Sequence, residues 1–132
     1  MIRRKFAALA VALLGALGIV ALAPSPAHAA WACNEGNTCF YTGTDGGGSG
    51  YQSNAIWPDG TCVTLPASWR NVASSIRNAT RTGSSNARFI RYYSATGCGG
   101  TRLTVLYSET AWPSLCCGGD NNIESFKVER EN

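Results

Sequence analysis

The sequence predicts an all-β sandwich built from two copies of one four-stranded unit and pinned by disulfides. Three observations carry that expectation. The chain repeats itself: Trp69-Arg70-Asn71-Val72-Ala73-Ser74-Ser75-Ile76-Arg77-Asn78 is echoed by Asp120-Asn121-Asn122-Ile123-Glu124-Ser125-Phe126-Lys127-Val128, with Asn71 on Asn121, Ala73 on Ile123, Ser75 on Ser125 and Ile76 on Phe126. An upstream pair repeats at nearly the same offset, Phe40-Tyr41-Thr42-Gly43-Thr44-Asp45-Gly46-Gly47-Gly48 against Tyr92-Tyr93-Ser94-Ala95-Thr96-Gly97-Cys98-Gly99-Gly100. Each copy therefore reads aromatic pair, glycine-ended turn, then Asn-x-x-x-Ser-apolar, as a duplicated supersecondary unit would. Second, six cysteines lie in a short chain that opens with an export signal, the usage of a disulfide-framed extracellular domain. Third, turn signals are frequent and no stretch gives an unambiguous helix.

The export signal is read from its parts. Met1-Ile2-Arg3-Arg4-Lys5 is cationic, Phe6 to Ala23 is apolar and uncharged, and Ala27 and Ala29 place small residues before a cleavage point,. An apolar run of that length nearly suffices to cross a bilayer. The Pro24-Ser25-Pro26 break and the small-residue site instead read as a cleaved signal over residues 1–29. Bulky Trp31 stands where a lipobox needs a small residue, which argues against a lipid anchor on Cys33. The expectation is a secreted, monomeric single domain over 30–132, with units at about 38–80 and 88–130 and no membrane attachment after cleavage.

The formal net charge of +3 is carried by Arg3, Arg4 and Lys5, so the exported remainder is neutral. That disfavours a generic nucleic-acid binder, which needs a basic surface. The charges are segregated. Between Gly60 and Ser108 stand Arg70, Arg77, Arg81, Arg88, Arg91 and Arg102 with no acid, and both flanking segments are net acidic. The expected reading is pairing between the central arginines and the acidic ends inside one small fold, in preference to a dedicated anion-binding face.

Six cysteines imply three bridges, each worth about 2–4 kcal/mol through restriction of the unfolded chain. Cys33 and Cys39 are close enough to staple the first strand. Cys62, Cys98, Cys116 and Cys117 supply the other two. Vicinal Cys116 and Cys117 are expected each to reach back to Cys62 or Cys98. No CxxC spacing supports a thiolate metal site,.

In chain order, Thr38 to Thr42 reads as a strand and Gly43 to Gly50 as a glycine tongue. The tongue lacks the Gly-Lys-Ser/Thr ending and following helix of a phosphate loop. Tyr51 to Trp57 resumes extended structure, Pro58-Asp59-Gly60 is a turn, and Thr61 to Leu65 alternates as a half-buried strand, ended by Pro66. Trp69 to Asn78 fits a helical stripe capped by Ser68 as well as a strand; its echo at Phe126-Lys127-Val128, which alternates at period two, favours extended structure. Asn78 to Asn86 is a polar connector. Phe89 to Tyr93, Arg102 to Tyr107, Ser114 to Cys117 and Ile123 to Val128 are the expected strands of the second copy.

This order of aromatic-Tyr, glycine tongue and Asn-x-x-x-Ser-apolar resembles a βγ-crystallin Greek key, and two such units make one βγ-crystallin domain. With a signal peptide and Cys33/Cys39 flanking the first strand, the chain looks most like the secreted actinomycete-type metalloproteinase inhibitors. The resemblance implies that Ser75 and Ser125 each fasten the tongue of their own unit. A short hydroxyl can satisfy the backbone groups that a folded-over hairpin exposes, which supports the same role on physical grounds. Calcium-binding members of the fold carry Asn/Asp-Asn/Asp-x-x-Ser/Thr-Ser, so the resemblance also implies a calcium position in each unit. Arg70 puts a cation in the first copy and Glu124 replaces a hydroxyl in the second. At most one weak calcium site is expected, at Asp120, Asn121 and Glu124; no other cofactor is.

The only histidine, His28, falls in the leader. The exported chain therefore has no Ser-His-Asp triad, Cys-His pair or HExxH site, and no spacing brings two carboxylates together for glycoside hydrolysis. A non-enzyme is expected. A rigid disulfide-braced domain loses little entropy on docking, which suits protease inhibition. The function expected from the resemblance is thus tight non-covalent inhibition of a secreted, thermolysin-like metalloprotease. Candidate contact residues are Asp59, Cys62, Val63 and Leu65 in one loop, although Val63 and Leu65 read more readily as core strand residues, and Trp112 and Leu115 in another. The alternatives are a killer-toxin-like or cell-envelope-binding module of the same fold, and a calcium-stabilised structural module.

Overall fold

The structure, a computed structural model, describes residues 31–116 and 119–131. The signal segment, its cleavage point and Cys117 lie outside the described residues. Eight strands follow in order: β1 Asn37–Tyr41, β2 Gly50–Asn54, β3 Cys62–Thr64, β4 Ser75–Asn78, β5 Arg88–Tyr93, β6 Arg102–Leu106, β7 Ala111–Trp112 and β8 Ser125–Arg130. The described helical structure is three single-turn 3-10 segments, Thr44–Gly46, Ala67–Trp69 and Thr96–Cys98. Among the described residues no helix is long and apolar enough to cross a membrane.

The strands form two antiparallel four-stranded sheets, ordered β2-β1-β4-β7 and β3-β8-β5-β6. The third strand of each copy crosses to the sheet of the other. β3 comes from the first copy and pairs with β8; β7 comes from the second and pairs with β4. The two copies are thereby locked into one sandwich, and the chain must cross between the sheets before each exchanged strand.

Period-two burial builds the core. In β5 the side chains of Arg88, Ile90 and Tyr92 are buried while Phe89, Arg91 and Tyr93 are half-buried on the other face. Phe40 of β1 lies between the sheets, 5.9 Å from the rings of both Tyr92 and Phe126, with Ile76, Ile90, Leu115, Ile123 and Val128 around them. Truncating such a ring costs about 3–5 kcal/mol. The buried phenol of Tyr92 meets the Thr38 hydroxyl at 2.6 Å. Burial raises its pKa well above the usual range, with that hydrogen bond opposing.

The duplication is visible bond by bond. The Ser75 hydroxyl donates to Gly43 O at 2.7 Å and accepts from Gly46 N–H at 3.1 Å. Ser125 donates to Ala95 O and accepts from Cys98 N–H at 2.9 Å. Both hydroxyls therefore tie down their own unit's tongue. Across the interface Asn71 N–H bonds Ile123 O at 2.9 Å and Asn121 N–H bonds Ala73 O at 3.0 Å. Asn71 and Asn121 both sit at positive φ, 59° and 50°, a conformation asparagine tolerates better than most residues.

Three expectations need correction. The third strand of the second copy is Ala111–Trp112 and not Ser114 to Cys117. Pro113 has no N–H for a ladder, and its carbonyl instead accepts from Asp45 N–H at 2.8 Å. In Trp69 to Asn78, extended pairing starts at Ser75, after a 3-10 turn whose Trp69 N–H bonds Pro66 O. Cys33 bonds Cys39 as expected, but Cys62 bonds Cys98. That bond takes up both of the partners expected for Cys116 and Cys117, because β3 lies beside the second tongue.

Candidate functional site

Three of the segments that cross between the sheets gather at one end of the sandwich. Residues 55–61 connect β2 to β3, residues 107–110 connect β6 to β7, and residues 79–87 link the two copies. The first of these is the most exposed apolar loop. Asn54 ends β2 by turning its side-chain oxygen onto Ile56 N–H at 2.9 Å, an Asx turn. Ala55 is buried and its N–H bonds Gly36 O at 2.8 Å. Pro58 fixes its own φ, and Gly60 supplies the positive φ, 80°, that the turn into β3 requires,.

The loop is held at its middle as well as its ends. Arg88 Nε donates to Trp57 O at 3.4 Å, and Asp59 Oδ1 accepts from Arg130 N–H at 2.7 Å. Gly60 N–H bonds Val128 O and Val128 N–H bonds Thr61 O, each at 2.9 Å. The Cys62–Cys98 bridge then closes the exit. What remains outside is Ile56, 36% exposed, and Trp57, 39% exposed. Two apolar side chains on a braced backbone are an anchor that can dock at little entropic cost; they are not a catalytic group.

The sequence-derived contact residues divide. Asp59 is at the loop but its carboxylate is a brace, and Cys62 is a bridge. Val63 is half-buried and packed against the core. Leu65 and Leu115 are 1% and 0% exposed, so neither can contact a partner without unfolding, and that expectation is corrected. Trp112 is also packed on the core, in the strand paired with Ile76, so it offers no competing loop. Ile56 and Trp57 open the exposed run 56–60 and lie past the end of β2, where the sequence suggests continuing extended structure. The signal that marks them is local: an Asx-turn former at Asn54 and Pro58 bracket the Ile-Trp pair and bar it from a ladder.

Asp120, Asn121 and Glu124 are the residues of the expected weak calcium position. Asp120 and Asn121 are exposed, while Glu124 is half-buried and one carboxylate oxygen accepts from Asn71 Nδ2 at 2.8 Å. Among the described residues no cluster of three or more His, Cys, Asp or Glu side chains could hold a metal.

The arginines are largely absorbed by backbone. Arg70 donates to Leu65 O at 2.9 Å, Arg77 to Trp31 O at 2.8 Å, and Arg88 to Ser85 O and Ala87 O at 2.8 Å as well as to Trp57 O. Arg91 reaches an acidic end, at Glu129, 3.0 Å away. Beneath the N-terminal segment, burial raises the pKa of Tyr41, with Arg77 opposing.

A family model described as peptidase inhibitor family I36 matches residues 26–106. No curated protein matches the chain. Among solved structures, one described under the evolution of the eye-lens βγ-crystallin domain fold superposes with TM-score 0.56 and 14% identity, over 74% of this chain and 88% of that one. A βγ-crystallin domain from Clostridium beijerinckii superposes with TM-score 0.50 and 17% identity, over 70% and 97%. A clostrillin double mutant in complex with nickel gives the same score and identity over the same shares. At these identities the superpositions show the fold, which is that of a βγ-crystallin domain.

Proposed function

The chain belongs to peptidase inhibitor family I36, a non-enzymatic protein, and from that premise we propose that it is secreted and blocks a thermolysin-like metalloprotease by non-covalent docking of the 55–61 loop. The observation that carries the loop assignment is the combination of brace and exposure: Ile56 and Trp57 stand out on a backbone fixed by Arg88, by Asp59 and by the Cys62–Cys98 bridge. Such a loop presents its apolar pair to a hydrophobic specificity pocket and resists entering the cleft as an ordinary, flexible substrate. Tryptophan is the residue type that most often dominates an interface.

The experiment is a titration of thermolysin, with subtilisin and papain as controls of other classes, by the purified exported chain. Thermolysin alone is expected to lose activity, and Trp57→Ala to weaken inhibition by about 30-fold or more, equivalent to about 2 kcal/mol, with the melting temperature nearly unchanged. Inhibition restricted to subtilisin or papain would keep the peptidase inhibitor and refute the metalloprotease. The envelope-binding alternative needs a free cationic face, and the carbonyl contacts of Arg70, Arg77 and Arg88 leave less of one than the sequence suggests.

A further inference from the structure

We propose that the inhibitory surface takes in both crossover loops, with Tyr107 as a second anchor beside Trp57. This rests on the 55–61 loop being the docking element, and it widens that loop into a surface fitted to a peptidase with an apolar cleft and a second apolar pocket on its rim. The first argument is size. A stable protein–protein contact covers about 800 Å² and about 20–30 residues on each side, more than the loop 55–61 contains. The contact must extend over neighbouring surface, and the apolar exposure shows in which direction. Among the described residues the exposed large hydrophobics are Ile56, Trp57 and Tyr107, the last 57% exposed.

The sheet places them at one end. Gly60 and Asp59 bond β8 at Val128 and Arg130, so the 55–61 loop lies at the end where β8 finishes. Arg88 opens β5 opposite Arg130. Leu106 pairs with Ile90, and Ser108 Oγ meets Arg88 N–H at 3.1 Å, so the 107–110 loop leaves β6 at that same end. β3 and β6 are the two edges of the sheet, three strand spacings apart, about 14 Å.

Tyr107 is as firmly mounted as Trp57. Its carbonyl accepts from Thr110 N–H at 3.2 Å and from Thr110 Oγ1 at 2.6 Å. Ser108 N–H bonds Glu131 Oε2 at 3.2 Å. Its ring packs 6.0 Å from that of Phe89, over which the Arg91 guanidinium sits at 5.2 Å. A single residue joins the two mounts: Arg88, 5% exposed, holds Trp57 O with its side chain and Ser108 Oγ with its backbone. The separation of the anchors is thereby built into the fold, so a rigid partner meets both together.

The test measures thermolysin inhibition constants and melting temperatures for the wild type, Trp57→Ala, Tyr107→Ala and the double variant. Each single variant is expected to weaken inhibition about 30-fold or more while melting within a few degrees of wild type. A wild type that leaves thermolysin fully active refutes the metalloprotease target, and the loop assignment and this inference fall with it unless subtilisin or papain is inhibited and both single variants lose that inhibition. Trp57→Ala without effect overturns the loop assignment and this inference with it. Trp57→Ala weakened but Tyr107→Ala within threefold of wild type overturns the second anchor alone. Should Tyr107→Ala melt early, Tyr107→Lys keeps an aliphatic stem over Phe89, and it too must lose at least 30-fold or the inference falls.

Discussion

The two copies of the unit cover their outer sheet faces differently. In the first, residues 31–36 form a strap across β1. Cys33 bonds Cys39, the Trp31 ring meets Tyr41 edge-on at 5.5 Å, and Tyr41 OH and Arg77 donate to the carbonyls of Ala32 and Trp31. The strap runs so close to the tongue that a Cβ on Gly46 would lie 2.5 Å from Trp31 N. In the second copy the residue offering its N–H to the tongue serine is Cys98, and its side chain leaves for Cys62 on β3. A cystine takes the place beside the tongue where the first copy seats its strap. Further along, Arg91 stays half-buried where its counterpart Cys39 is fully buried, while Phe89 and Asn37 are both half-buried. Backbone that must be satisfied kept its duplicated solution, Ser75 and Ser125. The outer faces, where solvent can substitute, diverged, and the second copy's open side is the one that carries Tyr107.

The largest expected effect separates the two cystines. Replacing Cys62 and Cys98 by serine opens a loop with sequence separation 36, against 6 for Cys33 and Cys39. Loop-closure entropy puts the losses at about 4 and about 2 kcal/mol, measured as denaturation midpoints at unchanged slope. Equal losses would mean that the strap contributes through packing what its short loop cannot contribute through entropy.

Next come the two serines. Ser75→Ala and Ser125→Ala each leave a tongue carbonyl and N–H unsatisfied, at about 1–3 kcal/mol apiece. The losses are expected to match within about 1 kcal/mol. A much smaller loss at Ser125 would show that the Cys62–Cys98 bridge holds the second tongue by itself.

The smallest effect concerns Phe40 and Tyr92, which occupy corresponding places in the repeats, although the second carries a buried hydroxyl. The native state keeps the Tyr92 proton above pH 10, where the unfolded chain releases it. The group's contribution is therefore complete below about pH 10 and is lost as pH rises beyond it, by about 1.4 kcal/mol per pH unit. Tyr92→Phe should flatten that limb in urea melts taken across alkaline pH, at little cost near neutrality, because Thr38 Oγ1 still has Arg77 O at 3.1 Å.

Much of the frame was legible because duplication is a sequence property. Aligning Ser75 with Ser125 located the tongue clasps, whereas the paired bonds of Asn71 and Asn121 between the copies show only in the fold. The strand exchange was less visible, since nothing in Cys62–Thr64 or Ala111–Trp112 says which sheet each joins. The partner of Cys62 is hidden in the sequence for the same reason: it meets Cys98 because β3 crosses beside the second tongue. The proposed contact pair, Ile56 and Trp57, lies a few residues before Val63 and Leu65, the pair that alternation singles out. Alternation marks a half-buried strand, but it cannot tell which apolar residues face the core until the crossing between the sheets is known.

The most direct test of the account is the stoichiometric titration of thermolysin with the exported chain, followed by mass analysis of that chain. The prediction is activity that falls to near zero at about one equivalent, with the 55–61 loop still intact. Thermolysin that remains fully active at micromolar excess of the intact protein would contradict it.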